Sequence, residues 1–276
     1  FHDLNIIGGV SASLATRAVA TGNVSVTGAL TLGGRTLEVG GTFSTSNPGT
    51  VTMTNALDSL LVGGTATFNG GVTTGLLTAG TLRVGGSITQ GGSNAGAFDA
   101  SGTHRTVLTG TTPLVNFQGT GNTSGTSHFQ EVTWAGGGTM TISTTTYALG
   151  QLTVSSAGTI AGQTFVQSLH VGQLANAAAL TLFNTQLWIE TTAAVPVALS
   201  NLTITVGSGV NALYIRHPGL PAGGKLTLDQ ITFTSTPTGG FVYLDVDDTN
   251  TGDGNLVVVD VSNSSPAASS LVLTAN

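Results

Sequence analysis

Thr36-Leu-Glu-Val-Gly-Gly41, Ser59-Leu-Leu-Val-Gly-Gly64 and Thr81-Leu-Arg-Val-Gly-Gly86 are three versions of one short phrase. Their Val-Gly-Gly segments begin at Val39, Val62 and Val84, so the phrase recurs at a nearly constant interval. A fixed period of about 22 residues is typical of proteins built from stacked structural repeats.

Each period contains three short stretches with the composition of β-strands. The first stretch ends at Val-Gly-Gly, the second follows it directly, and a polar turn leads to the third. The second stretches are 42–45, 65–68 and 87–90, and the third stretches are 50–54, 75–78 and 97–100. Three strands and three corners in ~22 residues form one coil of a parallel β-helix, in which each coil stacks on the one before it.

The same alignment predicts which side chains line the interior. Over residues 36–102 we expect three successive coils with stacked apolar side chains, namely Leu37, Val39, Leu61, Val62, Leu82 and Val84. An aspartate at Leu61 is then expected to destabilise the protein severely, because its buried carboxylate would have no partner.

Composition supports an ordered all-β chain. Charged residues make up 7% of the 276 residues, against roughly 25% in an average soluble domain. Apolar residues make up 39%, which is enough to form a core, and glycine occurs 41 times. Because apolar and polar residues alternate and no helical period is sustained, we expect strands and little helix.

Charge and cysteine content exclude several partners and chemistries. The six cations are scattered and form no basic stripe, so neither nucleic acid nor an anionic membrane surface is an expected partner. The absence of cysteine excludes disulfides, thiolate metal sites and thiol catalysis. No apolar run reaches the ~18 residues that would span a bilayer.

A longer repeat divides the chain into two blocks. Phe129 restarts the pattern of Phe1, and apolar positions such as Leu4 and Val132 coincide at the same offset for about forty residues. We therefore expect an internal duplication into residues 1–128 and 129–276. The chain starts in mid-pattern without Met or a signal-peptide pattern, so we expect it to be a processed piece of a longer precursor.

These repeats resemble those of a known class of proteins. The Thr-Leu-x-Val-Gly-Gly and Phe-x-x-Leu/Val-x-Ile/Trp phrases are similar to the Gly/Thr/Val-rich repeats of large secreted bacterial surface proteins, including filamentous-haemagglutinin-type adhesins and autotransporter passenger regions. The resemblance covers most of the chain. It implies a right-handed parallel β-helix, an extracellular or cell-surface location, and a role in adhesion or assembly, with copies of itself or surface glycans as partners.

The second half departs from this pattern. The Val-Gly-Gly rhythm weakens there, and loops such as 218–224 interrupt it. Short strands at intervals of about 8–12 residues also predict β-sandwiches. Two tandem β-sandwich domains are therefore the alternative fold.

Concentrated charge occurs in one segment, residues 245–255. Its oxygen ligands alternate along a glycine-bearing turn, which is the arrangement that Ca²⁺ requires; they are Asp245, Asp247, Asp248, Asn250 and Asp253. Counted from Asp247, the twelfth position is Val258, so no bidentate acid closes the site. The alternative is a solvated acidic turn.

No catalytic motif accompanies these features. The five histidines are isolated in sequence and lack metal-ligand spacing, so each is expected to be an ordinary strand or turn residue. Asp99 and His104 flank Ser101-Gly102, but this spacing is typical of a turn. We expect no enzymatic activity and no cofactor beyond a weakly bound Ca²⁺.

Two other functions make distinct structural predictions. A carbohydrate-binding or carbohydrate-active β-helix should present an aromatic platform, for which the candidates are Trp134, Trp188, Tyr214 and Tyr243. An ice-binding protein should present threonines in register, and Thr-x-Thr phrases recur, as at Thr203 and Thr232. Threonine also favours any exposed strand, and the uneven coil lengths predict an irregular array.

The final expectation is end-to-end self-association. The first predicted strand lies within the first six residues, and an uncharged apolar strand is predicted over 269–274. Apolar strands without charge pair readily with other strands. We expect copies to associate head to tail through Phe1, Leu4, Ile6, Leu271 and Leu273, as subunits of a bacterial surface filament or adhesin.

Overall fold

A computed structural model describes residues 1–164, 166–190, 197–207, 212–218, 226–235, 241–247, 256–258, 261–263 and 271–275. Side-chain surroundings are described for 1–164, 166–190, 198–205, 207 and 227–234. All regular structure in these ranges is β-strand, and no helix in them could cross a membrane.

The strands of the first half are short. In chain order they are β1 (Leu4–Ile6), β2 (Ser11–Ser13), β3 (Ala18–Ala20), β4 (Val24–Val26), β5 (Ala29–Thr31), β6 (Thr36–Val39), β7 (Phe43–Ser46), β8 (Thr50–Thr52), β9 (Ser59–Val62), β10 (Ala66–Asn69), β11 (Thr81–Val84), β12 (Ile88–Gln90), β13 (Arg105–Leu108) and β14 (Leu114–Phe117).

Several strands of the second half are longer. They are β15 (Glu131–Trp134), β16 (Gly138–Ile142), β17 (Thr146–Val154), β18 (Gly158–Gly162), β19 (Gln167–Asn176), β20 (Leu180–Phe183), β21 (Thr185–Ile189), β22 (Val197–Val206), β23 (Ala212–Pro218), β24 (Leu226–Ser235), β25 (Phe241–Asp247), β26 (Leu256–Val258), β27 (Val261–Asn263) and β28 (Leu271–Ala275).

These strands build two long parallel sheets and one short one. The first sheet has 13 strands in the order β1-β4-β7-β10-β12-β14-β16-β18-β20-β22-β24-β26, with β27 also on β24. The second sheet has 12 strands in the order β28-β25-β23-β21-β19-β17-β15-β13-β11-β9-β6-β3. The third sheet contains β2, β5 and β8 and continues as single bridges through Leu77 to Ala100.

This arrangement is a parallel β-solenoid and confirms the predicted fold. Successive coils contribute neighbouring strands to the same sheet, and Leu60 pairs with Leu82 of the next coil. Every described strand pair is parallel, whereas β-sandwiches are built from antiparallel strands. The alternative of two tandem sandwiches is therefore wrong for the described part of the chain.

The interior rows follow the prediction at all positions but one. Leu37, Leu60 and Leu82 pair in one buried row, and Val39, Val62 and Val84 form the next. Leu61 instead pairs with Glu38 and Arg83 in a row on the outer side. The prediction for Leu61 was wrong because side chains alternate along a strand, so that residues 60 and 62 share the inner face.

Aromatic side chains fill the interior between the sheets. Phe43, Phe68, Phe98, Phe117 and Phe129 are fully buried. Successive ring centroids along this series lie 4.7 to 5.8 Å apart. These are the distances at which tilted aromatic rings attract one another, so the series joins neighbouring coils through the core.

Glycines form the corner between the second and first sheets. A Cβ on Gly63 would lie 2.6 Å from the carbonyl oxygen of Gly40, and one on Gly85 would lie 2.3 Å from that of Gly63. The repeated Val-Gly-Gly phrase therefore provides close approach between the backbones of successive coils.

The corner changes in the second half. Two single residues with positive φ, Asn201 (51°) and Gln230 (54°), divide straight strand segments, and a third, Asn184 (49°), forms a different corner, between β20 of the first sheet and β21 of the second. Asn201 and Gln230 lie inside the long strands β22 and β24. A one-residue corner needs no glycine pair, which explains why the Val-Gly-Gly rhythm weakens there.

The proposed duplication has no counterpart in equivalent sheet positions. Leu4 lies in β1 of the first sheet, whereas Val132, its partner at the same offset, lies in β15 of the second sheet. The second sheet continues from β13 to β15 across residue 128. The division into 1–128 and 129–276 stays a prediction from the sequence.

Candidate functional site

The predicted calcium ligands lie only partly within the described chain. Asp245 and Asp247 belong to β25, which pairs with β23 and β28, so they lie in a strand and not on the turn that we expected. Asp248, Asn250 and Asp253 lie outside the described residues. The calcium site stays a prediction.

The predicted self-association residues lie in strands at opposite ends of the described stack. Phe1 is exposed, while Leu4 and Ile6 belong to β1 and pack against the core. Leu271 and Leu273 belong to β28 and pair with Val242 and Leu244. Self-association itself remains a prediction.

A polar cluster surrounds the buried carboxylate of Asp99, at the bridge that joins Asp99 to His128. The Asp99 carboxylate accepts hydrogen bonds from the Thr74 hydroxyl, the Gly125 N–H (2.7 Å) and the Ser124 hydroxyl (3.4 Å). Its other oxygen lies 3.4 Å from His128 Nε2. Burial lowers the pKa of His128, and the charge of Asp99 opposes this shift.

The Asp99 cluster joins three successive coils. Its members come from the turn at Thr74, from Asp99 one coil later, and from the loop before His128 one coil further on. The side chains of Asp99 and His128 are 4% and 3% exposed, so neither is accessible to an external substrate. This burial favours a stabilising role that anchors the exposed loop around Asn122.

His104 is also buried, and it does not pair with Asp99. Its ring packs edge-on against Phe98 with centroids 5.9 Å apart, and neither ring nitrogen has a hydrogen-bond partner in the described structure. Burial lowers the pKa of His104 to about 4. The suggested Asp99–Ser101–His104 grouping is therefore not assembled.

The outer sides of the two long sheets differ in charge. In the described strands of the first sheet, the one ionisable residue is Asp229. The described strands of the second sheet contain Glu38, Arg83, Arg105, Glu131, His170, Arg216, His217, Asp245 and Asp247. We call the outer side of the first sheet the neutral face, and the outer side of β3, β6, β9, β11, β13 and β15 in the second sheet the charged face.

The charged face has a groove beside the glycine corner. The groove, of about 560 Å³, is lined by Val19, Glu38, Leu61 and Arg83 and by the side-chain-free corner positions. Glu38 forms an ion pair of 2.6 Å with Arg17. Arg83 is exposed and forms no ion pair with any described residue. The backbone of the corner glycines Gly40, Gly63 and Gly85 forms one wall of the groove.

Three stacked rings form a separate feature, the ring ladder of Tyr147, His170 and Trp188. It lies on segments of β17, β19 and β21 that continue the third sheet through the bridge between Phe129 and Ala148. The Tyr147 and His170 centroids lie 4.4 Å apart with planes at 24°, and those of His170 and Trp188 lie 5.0 Å apart with planes at 17°. His170 Nδ1–H donates to Glu190 Oε1 at 2.8 Å. Burial, with the charge of Glu190, raises the pKa of Tyr147.

Trp188, one of the residues predicted for a carbohydrate platform, has one ring face covered by His170. A sugar stacks on the open face of a ring, but both faces of His170 are covered by its neighbours in the ladder. Trp134 is fully buried, and its Nε1–H donates to Gly110 O at 3.3 Å. The side chains of Tyr214 and Tyr243 lie outside the described set.

Comparison with known proteins gives no match to any family model, curated protein or solved structure. Functional inference for this chain therefore rests on its own sequence and geometry.

The partners of His128 and His170 were not predicted from the sequence. Asp99 and His128 are paired by a bridge although an irregular loop separates them in the chain. No repeated phrase in the sequence aligns residues 97–100 with residues 127–130 across that loop. The ring ladder had a clearer signal, because Tyr147, His170 and Trp188 follow one another at intervals close to the coil period.

Proposed function

We propose that the protein is a non-enzymatic structural module of a bacterial surface filament or adhesin and acts outside the cell. The observation that carries this proposal is the continuous stacking of parallel strands through both long sheets. A stack of this kind gives an extended, stiff body whose outer faces are available along its whole length.

The polar clusters support a structural role. The Asp99 carboxylate is fully engaged by donors from neighbouring coils. Asp58 is held in a similar way, because it accepts the Gly34 N–H of the preceding coil at 2.6 Å and the Asn55 N–H of its own turn at 2.9 Å. Buried carboxylates with such donors stabilise the contact between coils.

Assembly into filaments is the second part of the proposal. Among the described strands, β1 pairs only with β4, and β28 pairs only with β25. The free edge of a parallel strand carries backbone groups that can pair with another strand. Copies of this chain would associate head to tail so that each long sheet continues into the next copy, with β28 of one copy against the β3 edge of the next and β26 against the β1 edge.

Electron microscopy and sedimentation velocity on the purified chain test this assembly. The doubly substituted variant Val272→Lys/Thr274→Lys changes the alternate positions of β28, because the register places Leu273 in the inner row of Leu187. It should stay folded and form shorter polymers or none, because two lysines would repel the neighbouring copy. The control is Asn122→Lys/Thr123→Lys, which adds the same charge in an exposed loop and should polymerise like the parent. A parent chain that is monomeric at high concentration, or unchanged polymers of the first variant, would refute assembly.

A further inference from the structure

The neutral face contains a row of threonines in register. Strand pairing places Thr139 beside Thr159, Thr159 beside Thr181, Thr181 beside Thr203, and Thr203 beside Thr232. The residues that follow them are buried, so the threonines themselves stand on the outer side of β16, β18, β20, β22 and β24. Five consecutive coils thus present the same side chain at the same position.

A second row runs beside the first, two positions further along each strand. It contains Thr141, Ala161, Phe183, Thr205 and Thr234. The hydroxyls of Thr205 and Thr234 lie 2.8 Å apart, so neighbouring hydroxyls in a row can hydrogen-bond to each other. Positions on this face repeat at ~4.8 Å between strands and at ~6.6 Å along a strand.

The uneven coil lengths do not disturb this array. The steps between successive threonines differ in length, and the step from Thr203 to Thr232 is the longest. The strands nevertheless pair without a shift at the threonine positions, so the differences in step length leave the register of this sheet unchanged. The expectation of an irregular array was therefore wrong for these five coils.

The chemistry of the neutral face suits an uncharged ligand with a repeating lattice of oxygen atoms. Threonine is β-branched, so its hydroxyl and methyl are held in few rotamers and lose little entropy on binding. A charged side chain would hold its own hydration shell, and Asp229, the one ionisable residue in the described strands of this sheet, lies across the Gln230 corner from Thr232.

We propose that the threonine rows of the neutral face bind ice. The hydroxyls hydrogen-bond to water molecules at a regular spacing. The methyl groups restrict the orientation of these water molecules. This inference does not depend on the filament or adhesin role, since a single copy carries the whole face.

The test measures ice recrystallisation inhibition and thermal hysteresis of the purified chain. Thr181→Lys places a long cation at the centre of the row. We expect it to raise the protein concentration needed for inhibition by about tenfold or more, the effect of losing one good contact. Thr133→Lys is the matched control, because Thr133 is a half-buried outer residue of the charged face, and it should behave like the parent.

A second variant separates the hydroxyl from the shape. Thr181→Val with Thr203→Val keeps the volume and the strand propensity, and should still weaken inhibition. Thermal unfolding of each variant shows that it is folded. An inactive parent, or equal losses at Thr181 and Thr133, would overturn the proposal. Binding to insoluble cellulose or chitin without any effect on ice would also overturn it, in favour of a crystalline polysaccharide.

Discussion

At the scale of single residues, alternation along the strand distinguishes Leu60 from Leu61. Leu60 is fully buried in the row of Leu37 and Leu82, whereas Leu61 lies outside between Glu38 and Arg83. We expect Leu60→Asp to cost about 4 kcal/mol or more, and Leu61→Asp to cost about 1 kcal/mol or less. Urea unfolding of both variants measures the difference, and equal midpoints would contradict the inner row.

His104 makes stability depend on pH. Its pKa is lowered by burial from 6.5 to about 4, so the folded protein holds this ring neutral while the unfolded chain protonates it between these values. The contribution to stability is complete above pH 6.5 and is lost as the pH falls towards 4. The loss should be about 3 kcal/mol.

Chemical unfolding at a series of pH values tests this prediction. His104→Leu should show a smaller slope of unfolding free energy between pH 6.5 and 4, because it removes a buried histidine that the folded protein holds neutral. A slope identical to that of the parent would show that His104 is not held neutral.

Residues of the regular coils could be predicted from the sequence, while the partners across irregular loops could not. The corner phrase located Val39, Val62 and Val84 because its spacing is nearly constant. The pairing of Asp99 with His128 spans an irregular loop, so no repeat carries the alignment from one to the other. Leu61 was misplaced because Ser-Leu-Leu-Val offers two adjacent leucines, and only the register of the neighbouring strands selects between them.

At the scale of elements, the glycine corner determines how closely coils stack. Gly85→Ala should destabilise the protein by about 1–3 kcal/mol, because its Cβ would meet a backbone oxygen that cannot move aside. Gly91→Ala is the control, since the nearest atom to its Cβ is a side-chain carbon at 3.6 Å. Thermal unfolding compares the two variants, and a greater loss at Gly91 would contradict this account of the corner.

In the second half, the irregularities within the long strands were not predicted from the sequence. β17 carries a register irregularity between Ala148 and Gln151, and β22 and β24 turn at Asn201 and Gln230. A single residue with positive φ leaves little trace in composition. The type of secondary structure was therefore predictable there, whereas the corners were not.

At the scale of the whole molecule, the difference in charge between the two outer faces could not be predicted from the sequence. Charged residues and threonines are interspersed along the chain. They separate only when successive strands are assigned to alternate sheets, so that Glu131 and Thr139 come to lie on different faces. Such an assignment needs the register of every coil, which the repeats provide over 36–102 and not beyond.

The direction of the backbone hydrogen bonds has a mechanical consequence. Because they join one coil to the next, a pull along the axis loads the bonds of one coil before those of its neighbour. A coil of ~22 residues occupies ~4.8 Å of the stack and extends to about 75 Å when peeled away. Force–extension traces should therefore lengthen in steps of about one coil or a few coils, whereas one all-or-none event would contradict this. Under tension the rod would lengthen many-fold and dissipate work before it broke.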